Sequence, residues 1–320
     1  MEANPKLAAK KMTFTVPEPG NRVDLAMADG AVIRLRQHGN CLGPRLVLCH
    51  GNGFAIDAYF PFWRFLTDQY DLVIYDQRSH GQNPRHTLEA HRLDNFVSDM
   101  EEVFHGIKRE FGDKPAIGVF HSVSGVTSIR HALEYGKRWQ ALILFDPAMG
   151  PGPGRPESEV GRKFELMLVD WAKRRPDNFA SPKELADQFA KARPLQRWVP
   201  GARELMAKAT LHEDSETGKW VLNCPGAAES QIYKDNSECH LTERMDKIPV
   251  PVRLICADPD QPDALAPSKV GRAVHAEFGL PYVAVENTNH LLQIEKPVAC
   301  ARLARSFIEK LLADDPGTAL

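Results

Sequence analysis

Two serines stand two residues apart in GVFHSVSG, residues 118–125, between an apolar run that ends at Phe120 and a helical pattern that begins near Gly125. A serine hydroxyl becomes a useful nucleophile only when a base takes its proton and the backbone holds it in place. A sharp strand-to-helix turn supplies the second condition. The serine adopts a strained backbone with φ above zero, its Oγ is pushed clear of the sheet, and small neighbours keep strand and helix from colliding. Ser122 sits at the tip of such a turn, with Ser124 as the small residue two positions on. Phe120, two positions before, is bulky where the turn calls for a small residue. Placing the nucleophile at Ser124 instead puts β-branched Val126 at the following small position and moves the turn well past the strand end. Ser122 is therefore the candidate nucleophile, and the chemistry it offers is hydrolysis. The other reading of HSVS is a plain helix cap, in which serine satisfies exposed amides and does no chemistry.

The elements that must position this turn recur along the chain as short apolar runs: RLVLCH (45–50), DLVIYD (71–76), AIGVF (116–120), ALILFD (141–146), VRLICAD (252–258) and YVAVEN (282–287). Rich in Val, Ile and Leu and free of polar alternation, they fit strands buried on both faces. Helix-like segments separate them, which predicts an α/β fold with a mainly parallel sheet flanked by helices. LDNFVSDMEEVFHGIKREFG (93–112) puts Phe96, Met100, Val103, Phe104 and Ile107 on one face, and Gly112 stops it. PVACARLARSFIEKLL (297–312) repeats the pattern with Val298, Leu303, Phe307 and Leu311 behind an initial proline. VDLAMADGAVIRLRQHG (23–39) reads as two strands around Asp29-Gly30, an antiparallel edge.

From PAMGPGPGRPE (147–157) to about Lys247 no buried-strand run appears. The segments 160–174, 181–193 and 202–211 look helical, the second opening with a serine cap and a proline. This region reads as a helical insertion between two sheet strands, giving a core of 1–148 and 248–320 and an insertion of 149–247. Phe164, Trp171 and Trp198 inside it either line a pocket or form ordinary core.

Forty basic and 42 acidic residues leave a net charge of −2, so no global field recruits nucleic acid or an anionic membrane surface. The N-terminal MEANPKLAAKKMTF has no apolar signal core, and no stretch approaches the roughly 18 apolar residues that span a bilayer. A cytoplasmic protein is expected. Six cysteines without CxxC spacing fit reduced, structural thiols in that compartment.

HGNG at 50–53, FHSVSG at 120–125, Asn289-His290 and the order of elements together resemble the α/β-hydrolase family over roughly residues 22–313. In that family the triad runs serine, acid, histidine in chain order. The resemblance assigns the base to His290, in NTNHLLQIEKP after the last strand. It assigns the acid first to Asp260 in ICADPDQPD, with Asp258 and Asp146 as alternatives; Asp146 ends the strand ALILFD, where some members carry the acid. His290 would remove the Ser122 proton while the acid holds the imidazole in one tautomer. The oxyanion needs two donors, each often worth about 2.7–4 kcal/mol. One is the backbone N–H of Val123 at a helix start; the other comes from HGNGF, where the resemblance favours Asn52 over Gly53. His50 is expected to bond within its own turn, His121 to pack, and Asp76, Arg78 and Gly81 of DQRSHGQNPRH to serve as scaffold.

The function expected is hydrolysis of a carboxylic ester or related acyl bond through a Ser122 acyl-enzyme, with the insertion as a cap over the C-terminal edge of the sheet. Lactone, thioester and carbon–carbon bond hydrolysis use the same core. The expected partner is a small-molecule acyl substrate, and no metal or organic cofactor is implied. Epoxide hydrolases and haloalkane dehalogenases carry a carboxylate where Ser122 stands. A non-catalytic ligand- or partner-binding protein on the same fold is the second hypothesis.

Overall fold

Strands that are buried on both faces need helices on both sides, and the chain alternates accordingly. The computed structural model describes residues 13–150 and 154–314. β1 (Asn21–Ala26) and β2 (Val32–Gly39) form the hairpin, turning at Gly30 with φ 87°. There follow β3 (Arg45–Cys49), the single turn α1 (Phe60–Trp63), β4 (Asp71–Tyr75), α2 (Leu93–Phe111), β5 (Ala116–His121), α3 (Val123–Tyr135) and β6 (Ala141–Phe145). The inserted region holds α4 (Pro156–Arg174), β7 (Asn178–Phe179), α5 (Pro182–Lys191), α6 (Ala202–Thr210), β8 (Leu211–Glu213), β9 (Trp220–Leu222) and α7 (Gly226–Ser237). The chain returns through β10 (Val252–Ala257), α8 (Ala266–Phe278), β11 (Tyr282–Val285), the short α9 (Leu292–Glu295) and α10 (Pro297–Asp314).

Eight strands make one sheet in the order β1-β2-β4-β3-β5-β6-β10-β11, and only β2 runs against its neighbours. Side chains alternate between two cores. Val47, Cys49 and Phe120 face α2, α3 and α8, whereas Leu46, Leu48, Ile117 and Val119 face α1 and α10. Phe96, Met100, Val103 and Ile107 of α2 are buried as the period requires, and Gly112 ends the helix with φ 88°. The face of α10 is shifted from the expected stripe: Cys300, Ala304 and Ile308 are fully buried, while Val298 is 62% exposed. Small residues there let the helix lie close to the sheet.

The inserted region is not purely helical. Three short strands pair in the order β7-β9-β8, each too brief to show a period in the sequence. Helix α7 also escaped the pattern, because its buried face carries Glu229, Ser230 and Asn236 among few apolar groups. Residues 1–12 and 315–320 of the expected core, and 151–153 of the Pro/Gly-rich stretch, lie outside the described residues.

Phe120 finds its room through a glycine on its own strand. Its ring lies over Gly118, where a Cβ would sit 2.3 Å from Phe120 Cε2, and meets Trp139 edge-on at 5.5 Å. The bulk before Ser122 is thus directed back along β5. Gly118→Ala is expected to cost roughly 1–3 kcal/mol by overpacking, read as a lower urea midpoint. In a Phe120→Ala background the same change should cost much less; an unchanged penalty would separate the two residues.

Candidate active site

Ser122 lies between β5 and α3 with φ 55° and ψ −120°, a conformation that L residues rarely hold. Hydrogen bonds fix it: its N–H donates to the Phe145 carbonyl at 3.0 Å, and its carbonyl accepts from Gly125 at 3.0 Å and Val126 at 3.2 Å. Ser124 is buried, and its Oγ accepts the His121 N–H at 3.0 Å while lying 2.8 Å from the His121 carbonyl. That hydroxyl is committed to backbone groups, since it also lies 3.2 Å from the Cys49 carbonyl of β3. Gly125 lets α3 approach the strand end, since a Cβ there would stand 3.0 Å from Pro147 Cβ.

His290 follows β11 and reaches back across the ends of β10 and β6. Its Nε2 is 2.9 Å from Ser122 Oγ, and its Nδ1 is 2.6 Å from Asp146 Oδ2. Asp146 is fully buried, with φ 41°, and its other oxygen accepts the Ala257 N–H at 3.1 Å. The acid expected first, Asp260, is not at the histidine. It is exposed and bonds Arg272 at 2.7 Å. Asp258 organises the turn that sends it there, accepting N–H groups of Asp260 at 3.1 Å and Asn287 at 2.9 Å. Strand order explains the difference: β6 lies between β5, which leads to Ser122, and β10. A buried aspartate closing an apolar strand, against three acids in a polar turn, was the available signal.

The loops around this line are held by a neutral relay. Gly51 N–H donates to Tyr59 Oη at 3.3 Å, Tyr59 lies 2.7 Å from His121 Nδ1, and His121 Nε2 lies 2.9 Å from the His290 carbonyl. Burial and the neighbouring His290 push His121 well below the usual histidine range, so it holds position rather than titrating. His50 bonds the Gly51 carbonyl at 2.7 Å and accepts the Gln77 N–H at 3.2 Å. A Cβ on Gly51 would lie 3.0 Å from Ser122 Cβ, which measures how closely the HGNG turn approaches the serine. Gly53 N–H donates to His80 Nε2 at 3.1 Å, whereas Asn52 N–H has no hydrogen-bond partner among the described residues. Val123 opens α3, where first-turn N–H groups lack helical partners.

Ser122, His290, Asn52 and Gly53 open into a pocket of about 760 Å³ roofed by the inserted region. Phe164 and Trp171 line it, while Trp198 packs in the core beside Phe189. Two of its carboxyl groups are compensated: Glu229 pairs with Arg175, and burial pushes the Glu165 carboxyl up to about 8, while Arg174, also on the lining, is exposed. Among the described residues, His80, His91 and Cys224 cluster as metal-ligand types. His80 Nε2 already accepts from Gly53, and the cations Arg78 and Arg175 disfavour added positive charge there. The six cysteines are unpaired, and no helix among the described residues is long and apolar enough to cross a membrane.

A doubly flanked parallel sheet with a strained serine at the end of its central strand defines the α/β-hydrolase class. A family profile described as serine aminopeptidase, S33, matches residues 44–210, over half of the chain, and the protein belongs to this α/β-hydrolase family. Among curated proteins it is similar to a putative carbamate hydrolase, RutD, of Caulobacter vibrioides, 27% identical over 154 residues, which are 46% of this chain and 51% of that protein. The chain thus spans about half the length of the first curated relatives it matches. Among solved structures it resembles E-2-(acetamidomethylene)succinate hydrolase with a TM-score of 0.72 at 18% identity, covering 90% of this chain and 100% of that one. The thioesterase domain from the curacin biosynthetic pathway gives 0.66 at 19%, covering 88% and 98%. At these identities the structural likenesses speak for the fold.

A carboxyl raised from 4.5 to about 8 by burial carries a pH signature. The unfolded chain ionises Glu165 from about pH 4.5 while the folded protein keeps it neutral to about pH 8, so stability falls with rising pH across that window. Glu165→Gln should therefore unfold at a higher temperature than wild type at pH 8, with the gap closing toward pH 4.5. An equal gap at both pH values would mean that Glu165 is not buried neutral.

Proposed function

We propose that the protein is a serine hydrolase that cleaves a carboxylic ester or a related acyl bond through Ser122, His290 and Asp146, with residues 149–247 as its cap. The observation that carries this reading is the continuous line from Ser122 Oγ through the imidazole to Asp146, at 2.9 and 2.6 Å. His290 Nε2 takes the hydroxyl proton as Oγ attacks the carbonyl carbon, and Asp146 holds Nδ1–H and stabilises the imidazolium. The N–H groups of Val123 and Asn52 receive the oxyanion; Gly53 is disfavoured because its N–H is engaged by His80. His290 then returns the proton to the leaving alcohol as the carbon–oxygen bond breaks. In the second half, water loses a proton to His290, attacks the acyl-enzyme and releases the acid with Ser122 restored.

A largely apolar pocket whose Arg175 is paired and whose Glu165 is neutral suits a substrate of moderate size that is apolar around the scissile bond, and the exposed Arg174 adds a cation to its lining. The carbamate hydrolase name of a curated relative is in keeping with acyl cleavage and leaves the leaving group open. Unpaired cysteines, four of them buried, fit a reducing cytoplasmic setting.

The test is fluorophosphonate labelling with turnover of short p-nitrophenyl esters. Wild type is expected to label and turn over, and Ser122→Ala to do neither. Asp146→Asn should lower kcat roughly 10²–10⁴-fold by losing the imidazole's orienting partner. Asp260→Asn should stay within about twofold of wild type, as expected for an exposed surface pair. An unlabelled, inactive wild type would instead support the non-catalytic binding protein.

A further inference from the structure

Helix α7 of the inserted region meets the core at several points, through Asp235 at Arg92 and Leu93 and through Asn236 at the Ala148 carbonyl, and one of them is the turn that carries Asn52. Asn52 Nδ2 donates to the Glu229 backbone carbonyl at 2.9 Å. The Glu229 carboxylate rests on Gly53, where a Cβ would sit 2.3 Å from Oε1, and Gly53 holds φ 74°. Tyr233 Oη donates to Oε1 at 3.0 Å, and Arg175 at the end of α4 binds Oε2. Glu229 is 2% exposed, and it lines the same pocket as Ser122. Gly226 seats α7 on α4, since a Cβ there would lie 2.2 Å from the Ala172 carbonyl.

A carboxylate packed against an oxyanion-binding turn is at first sight misplaced. Negative charge there opposes the charge that develops on the tetrahedral intermediate, and it does so in a pocket that screens poorly. We propose that Glu229 is a positioning residue that holds the Asn52–Gly53 turn from the cap side, and that Arg175 is the specificity of that arrangement to charge: it cancels the carboxylate so that the turn can still receive an oxyanion. This rests on the assignment of Asn52 N–H as an oxyanion donor. It ties the seating of the cap to the catalytic competence of the core, since Arg175 and Glu229 belong to the inserted region and the turn does not.

The pair predicts a pattern that loss of packing would not give. With p-nitrophenyl butyrate, Arg175→Met leaves the buried Glu229 without its cation, so the penalty follows the ionised fraction of that carboxyl: kcat should fall at least about 30-fold at pH 9 and less at pH 6, with KM changed less than about threefold. Glu229→Gln keeps the shape without the charge and should hold kcat within about threefold. The double variant Arg175→Met/Glu229→Gln should recover most of the loss seen in Arg175→Met. A double variant no better than Arg175→Met, or an Arg175→Met enzyme with wild-type kcat, overturns the proposal. Should Arg175→Met fail to fold, Glu229→Gln against Glu229→Ala decides: Gln retains kcat while Ala, which keeps the carbonyl bonded to Asn52 but removes the side chain packed on Gly53, loses at least about tenfold, and equal loss in both overturns the proposal. Ser122→Ala run alongside separates the two levels, because turnover surviving in it means that the assignment of the site has failed, whereas an inactive Ser122→Ala with indifferent Arg175 variants means that only the coupling has.

Discussion

The His290 imidazole, held between Ser122 and Asp146, is the constraint around which the rest is arranged. Its two partners are 168 and 144 residues away in sequence, yet both must be met within hydrogen-bond distance by one ring. Parallel strands make this possible because β5, β6, β10 and β11 all end on the same edge of the sheet. The ladder continues past the strand ends into the strained residues. Ser122 N–H reaches the Phe145 carbonyl, and Asp146 N–H reaches the Ile255 carbonyl at 3.0 Å. Both residues have positive φ, so each strained position is held by a bond from the neighbouring strand.

Around that edge the scaffold is electrostatically stiff. Arg45 and Asp71 pair with neither side chain exposed, and Arg36 and Arg78 are tied to Asp76 and Asp99. Truncating one member of such a pair leaves a buried charge without a partner. Asp76 also accepts the Ile56 N–H at 2.8 Å and fills the space beside Gly81, where a Cβ would meet its Cγ at 2.1 Å. The turn 76–83 is therefore fixed from several sides, and through His80 and Gly53 that rigidity reaches the HGNG turn. Sites that stabilise developing charge depend on donors already in place, which gives this buried polarity a bearing on chemistry.

The inserted region obeys a different rule. Its pocket wall is largely apolar, and the buried carboxyl groups that enter it are paired or kept neutral by burial. Glu165 stays protonated because nothing cationic compensates it, whereas Glu229 keeps Arg175. Two carboxyl groups in one pocket are thus made harmless by opposite means, one by its proton and one by an ion pair.

Much of this was legible in the chain. The six apolar runs became strands with ends shifted by a residue or two, because a run of Val, Ile and Leu carries its burial in its own composition. Ser122 was legible as a strand-to-helix turn and His290 as the loop between the last strand and the last helix, both local contexts. Helix α7 and the three short strands were not, since a polar buried face and two- or three-residue strands leave no period to read. The same divide runs through the site. Sequence by itself determined that a serine and a histidine would stand at one sheet edge, because each is set by the elements immediately beside it. Only the tertiary structure decided that Asp146 rather than Asp260 meets the imidazole, and that Glu229 lies on Gly53. Those contacts depend on which strand end lies under the histidine loop and on how the inserted region seats, and no local pattern encodes either.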